Sequence, residues 1–134
     1  MPIYECMRML RISHTTHMER NTHTIDATDR ILGRLATEIA ILLRGKNKAS
    51  FDPAIDGGDR VEVKNVAGIK VTGAKMKQKI YYHHTGYPGG LKEETLEKLW
   101  DRLGPDEVLR RAVWNMLPKN NSRKAMIKRL VFKK

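Results

Sequence analysis

The sequence predicts an α/β layer fold, and three observations predict it. Short β-branched runs occur at His23–Ala27, Arg60–Val66 and Ile69–Thr72. Between the first two lies a stretch with helical period, and the second half reads as largely helical. The opening strand–helix–strand order favours a right-handed parallel crossover.

The elements follow in order. Residues 1–21 show no clear period and are expected to form an arm or extension that orders on a partner, with Met18 as a second candidate start. Residues 22–134 are expected to be one domain. After the first strand, Thr28 and Asp29 offer N-cap oxygens. Leu32, Leu35, Ala36, Ile39, Leu42 and Leu43 then recur at three- and four-residue steps. Gly45 stops that helix, and Arg44, Lys46 and Lys48 place positive charge at the negative end of its dipole. Asp52 to Asp59 is a loop. Arg60 to Val66 alternates, with Val61 and Val63 inward. Lys75 to Tyr82 is expected to be extended, and Tyr87-Pro-Gly-Gly90 is a turn. Leu91 onward is expected to be helical, with Glu93 and Glu94 in the first turn, a break at Gly104-Pro105 and an end at Pro118. Asn121 or Ser122 caps a last short helix, and Leu130 to Phe132 closes with a strand.

Composition narrows function. The chain has 26 Lys plus Arg against 15 Asp plus Glu, a net charge of +11. That balance argues for polyanionic partners, nucleic acid first. A lone cysteine, Cys6, excludes an intrachain disulfide and a Cys-based zinc site, and a reducing, cytoplasmic setting fits. No apolar run is long enough to span a membrane, so no membrane partner is expected. Phosphate-binding loops of the P-loop kind, dinucleotide fingerprints and nucleophile elbows are all missing, and no small-molecule substrate or cofactor is implied.

Two stretches carry chemistry. Tyr81 to Gly90 holds three tyrosines, two histidines, three glycines and a proline, inside a region from Val63 to Lys92 with six lysines and no acid. Stackable rings and uncompensated charge suit RNA. Tyr82, His83, His84, Thr85 and Tyr87, with Lys75 and Lys77, are the candidates there, and His84 and Tyr87 are expected to face outward. At least one tyrosine is about equally suited to the core. His83 and His84 point to opposite faces of a strand, which disfavours a shared metal; buried or stacked imidazoles fit better. From Val108 to Lys134 there are nine basic residues and no acidic one. A solvated face normally mixes signs, so a phosphate-facing segment is the better reading. Lys119, Arg123, Lys124 and Lys128 are its candidates.

Ile25-Asp-Ala27, Leu32-Gly-Arg-Leu-Ala36, Leu43-Arg-Gly-Lys46, Val71-Thr-Gly73, Tyr81-Tyr-His-His-Thr-Gly86 and Met116-Leu-Pro-Lys119 occur in one order along nearly the whole chain. Together they resemble the bacterial type of large-subunit ribosomal protein L-thirteen. The resemblance implies a three-layer α/β/α fold with a four-stranded, mainly parallel sheet. It implies a structural component of the large ribosomal subunit that binds large-subunit rRNA, meets neighbouring ribosomal proteins, acts early in assembly and is not an enzyme. It also implies rRNA-facing roles for Arg34, Arg44, Lys46 and Lys48 around the first helix, beside the central motif and the tail. His23 stands where members commonly carry Trp. Two rivals remain from the residues alone: a free-standing RNA-binding regulator, and a small basic RNase using His83 or His84.

Overall fold

The computed structural model describes residues 20–133. The expected arm therefore lies outside the described residues, apart from Arg20 and Asn21.

Three strands, β1 (Thr22–Asp26), β2 (Arg60–Lys64) and β5 (Leu130–Lys133), pair in parallel in the order β1-β2-β5. Helix α1 (Leu32–Arg44) connects β1 to β2, as the alternation of patterns predicts. His23, Val61 and Leu130 stand in register, as do Ile25, Val63 and Phe132. Residues two apart share a face of a strand, and this face is the buried one. Val61 and Val63 pack with Leu35, Ala36, Ile39 and Leu43 of α1 and with Leu109, Val113 and Met126 in one apolar core. The alternate position Glu62 turns the other way and is held by Lys133 at 2.5 Å and Arg60 at 3.6 Å.

The α/β class holds, but the strand count differs from four. Ile69 to Thr72 contributes only a single parallel bridge, Ile31 with Lys70. That bridge also explains the start of α1. Ile31 occupies the N-cap with extended backbone and no side-chain cap, and the Leu32 N–H donates to Lys70 O at 3.0 Å. Thr28 and Asp29 do not cap as expected. Thr28 donates its N–H and hydroxyl to Asp26 Oδ1, and Asp29 sits at φ 58° facing Lys70.

Gly45 ends α1 in the left-handed region, φ 77°, where only glycine rests without strain. Gly58 has a different reason: a Cβ there would run into the Leu43 carbonyl, so the loop returning to β2 passes directly over the end of α1.

Two further expectations are corrected. Lys75–Gln78 forms a short helix, α2, before β3 (Ile80–His84), so the lysine-rich stretch is not extended throughout. Leu91–Thr95 is strand β4, not helix, and pairs antiparallel with β3. The turn at Tyr87 to Gly90 folds the chain back, and cross-strand pairing takes precedence over the helical spacing of the residues beyond. Helix α3 (Leu96–Met116) begins with Thr95 as N-cap, its Oγ1 accepting from Lys98 N at 3.5 Å. It breaks as expected at Gly104, φ 80°, before Pro105. Helix α4 (Arg123–Lys128) follows the Pro118 turn, with Ser122 at its N-cap but without a side-chain bond. The hairpin β3–β4 rests on its own small core of Leu96, Leu99 and Val108, against which Tyr81, Met76, Val71 and Trp100 pack.

Candidate nucleic-acid interface

The hairpin presents the motif. Its tip is tied by Thr85 N to Gly90 O at 3.0 Å and by Gly90 N to Tyr87 O at 2.9 Å. Tyr87 is 76% exposed and Tyr82 63%. His83, His84 and Thr85 are exposed as well, so neither imidazole is buried. The Gly86 N–H donates to His84 Nδ1 at 2.9 Å. A neutral ring accepting at Nδ1 carries its proton on Nε2 and offers that nitrogen as a donor. Tyr81 is the ring that goes inward. It is half-buried, with the Lys79 ammonium 5.4 Å and the Arg111 guanidinium 5.6 Å from its centroid. Burial pushes its phenol up from the ordinary value, and the charge of Arg111 opposes the rise.

The register adds something composition hides. Tyr82 lies opposite Glu93 and Tyr81 opposite Glu94, and Arg102 grips Glu94 with bonds of 2.8 and 2.7 Å. The acid-free run therefore folds back onto two acids near its root. Only the end from His83 to Lys92 stays acid-free on both strands. At the root, Lys75 and Lys77 of α2 are exposed and meet no carboxylate among the described residues.

The basic tail divides sharply. Arg129 is not available to a phosphate. Its guanidinium holds Asp56 through bonds of 2.7 and 2.6 Å and donates to Leu43 O at 3.0 Å, joining the end of α1 to the loop and to β5. This holds the Asp56 carboxyl below its usual range even though burial alone would raise it. Arg110 and Arg111 flank Glu107, and Lys133 meets Glu62. Arg123 lies 4.2 Å over the Trp114 ring and donates from Nε to Trp114 O at 2.8 Å, adding to the bond that this carbonyl accepts from Leu117 N at 3.3 Å at the end of α3. Lys119, Lys124 and Lys128 are exposed and pair with no carboxylate among the described residues.

Around α1, Arg34 and Lys46 are exposed, and Arg44 stacks 5.5 Å over Phe51. Lys48 has an internal task. Its ammonium lies 2.5 Å from Asp59 Oδ1 and 3.1 Å from Gly57 O. Asp59 is fully buried and also receives the Asn21 N–H at 3.1 Å and His23 Nε2 at 3.0 Å. Burial would raise this carboxyl, but the donors from Lys48, His23 and Asn21 outweigh it and the net shift is downward. An ionised carboxylate accepts only, so His23 Nε2 bears the proton of that contact.

The candidates thus fall into local groups. Lys75 and Lys77 of α2 lie at the root of the hairpin that carries the motif. Arg44 and Lys46 border one groove with Ile41 and Met116. Lys119, Arg123 and Lys124 gather around Trp114. Sequence reasoning passed over Lys70 and Lys79, which border a cleft with Lys75, Gly33 and Tyr81. Both stood in the lysine count but had no pattern to single them out. It also passed over Trp114, whose partner Arg123 lies across a turn that no periodicity reveals.

Among the described residues no three His, Cys, Asp or Glu side chains gather as a metal site would need. No helix among them is long and apolar enough to cross a membrane. Fold and surface together define a small, strongly basic α/β domain with an exposed aromatic hairpin.

Residues 20–133 match the model of the family described as Ribosomal protein L13. A Large ribosomal subunit protein uL13 from Geobacter sulfurreducens is 44% identical over 124 residues, covering 92% of this chain and 86% of that protein. The protein of the same name from Chloroflexus aurantiacus is 51% identical over 115 residues, 86% and 79% of the two chains. That from Hahella chejuensis is 50% identical over 113 residues, 84% and 79%. The chain belongs to the ribosomal protein L13 family, proteins of the large ribosomal subunit and not enzymes. Its place is in the ribosome.

Proposed function

We propose that the chain binds large-subunit rRNA, supports early assembly of the subunit, and does so as a rigid spacer among converging RNA segments and neighbouring ribosomal proteins. The observation that carries this reading is the sorting of cations. Lys46, Lys75, Lys77, Lys119, Lys124 and Lys128 are exposed without a carboxylate among the described residues, while Lys48 is engaged by the buried Asp59 and Arg129 by the partly buried Asp56. A surface that kept such cations for its own stability would pair them. Arg34 and Arg44 join the outward set, and Tyr82, His83, His84, Thr85 and Tyr87 supply stacking faces and donors for unpaired bases and 2′-OH groups. Arg123 and Lys48 act chiefly by shaping the surface the others present.

Each phosphate neutralised releases counterions, so log K falls with log salt by about 0.7 to 0.9 per phosphate. Co-sedimentation of tagged protein with large subunits after a high-salt wash is the test. Retention on the subunit is expected. Protein that stays at the top of the gradient, bound to a message instead, would replace this reading with that of a regulator.

A further inference from the structure

Between the end of α3 and the start of α4 lies an open pocket of about 470 Å³, bordered by Trp114, Lys119, Asn120, Asn121, Arg123 and Lys124. Its floor is a preformed stack, the Arg123 guanidinium 4.2 Å over the indole. Bonds from Arg123 to Trp114 O fix that plane, so little is lost in ordering it when a ligand arrives. The rim is a tight turn, with Asn120 N donating to Pro118 O at 3.0 Å and Arg123 N to Asn120 O at 3.2 Å. Asn120 and Asn121 are exposed, and no hydrogen bond within the described chain engages their side-chain amides. Lys119 and Lys124 flank the turn, and no acid lines the pocket.

We infer that this pocket is a subsite for one unstacked nucleotide of single-stranded RNA. The base lies against the Trp114–Arg123 platform, its edge meets the Asn amides, which donate and accept, and the adjoining phosphates meet Lys119 and Lys124. A duplex offers phosphates but no open base face, so it does not fill the pocket. The inference rests on the rRNA-binding reading and refines it, since phosphate binding elsewhere on the domain requires no such pocket.

The test uses the full chain and two probes: a short fluorescein-labelled oligouridylate, and a blunt RNA duplex with the same number of phosphates. Fluorescence anisotropy gives both affinities. Trp114→Leu is expected to weaken the oligouridylate about tenfold, the scale of removing one base–aromatic stack, and to leave the duplex nearly unchanged. Asn120→Ala/Asn121→Ala, whose side chains are exposed and make no hydrogen bond that holds the fold, is expected to move affinity in the same direction. It keeps the question decidable if Trp114→Leu unfolds. Equal losses on both probes, or no loss in the folded Asn double variant, would overturn the subsite. So would full release of the oligouridylate by millimolar inorganic phosphate, which marks a plain anion site. Co-sedimentation of wild-type protein with large subunits is scored separately: its failure sinks the ribosomal reading, whereas normal co-sedimentation with unchanged oligouridylate binding sinks only the pocket.

Discussion

The two ends of the molecule treat positive charge in opposite ways. Around the end of α1 and the start of β2, each cation that turns inward meets a carboxylate: Lys48 on Asp59, Arg129 on Asp56. At the hairpin end, Lys75, Lys77 and Lys92 meet none among the described residues, while Lys79 leans over Tyr81. Both ends carry several basic residues close together in sequence. What separates them is whether the fold carries an acid to the cation. A lysine in a basic run is a binding residue only if the chain brings no carboxylate back to it. Lys48 and Arg129 show how far apart in sequence that carboxylate can be.

The largest way to break the contrast is to remove the inner pairing. Arg129→Met leaves Asp56 without its guanidinium and Leu43 O without a donor. It should lower unfolding free energy by about 3 kcal/mol in urea titration. A decrease of less than about 1 kcal/mol would mean that the pair is no more than a surface ion pair. Next comes Asp59→Ala, which removes the carboxylate that Lys48, His23 and the Asn21 N–H share and should cost about 2 kcal/mol.

Acid sharpens the same comparison. Asp56 and Asp59 both have carboxyls held below the ordinary value of 3.8. Their contribution is complete above 3.8 and is lost as pH falls through the lower native values. Thermal melts should therefore drop as pH falls below 3.8, and Asp59→Asn should flatten that limb. An unchanged acid limb in Asp59→Asn would show that the buried carboxylate is not what acid attacks.

The smallest effect on stability belongs to the hairpin end. Lys75→Glu/Lys77→Glu should shift unfolding by less than about 0.5 kcal/mol. It should nevertheless weaken RNA binding across sequences and reduce the salt slope by about one for each phosphate no longer neutralised. Lys46→Gln and Lys48→Gln, two residues apart, make the contrast within one loop. The first should lower affinity, the second mainly the melting temperature. If both lower affinity alike and leave stability unchanged, the inner and outer assignments merge.

Much of the fold was legible because it is local. The α1 stripe, the αL stop at Gly45, the inward Val61 and Val63, and the break at Gly104 all follow from period and backbone freedom. The misreadings share one cause. Leu91–Thr95 reads as a helix start until β3 lies beside it, and Ile31 needs no cap because Lys70 O reaches its neighbour. The motif between Tyr81 and Gly90 could be picked out by its rings and glycines, and His84 and Tyr87 are exposed as expected. The division of the basic tail could not, since Asp56 lies 73 residues from Arg129.

By itself, then, the sequence determined the α/β class, the positions of most turns and helices, the strongly positive charge and the family. Those depend on side-chain chemistry and on spacing over a few residues. Only the tertiary structure decided which cations meet a carboxylate, which tyrosine turns inward, and that Trp114 and Arg123 stack in the pocket that Lys119 and Lys124 also border. Each of those depends on which distant groups the packed core brings within bonding distance, and short-range patterns do not record it.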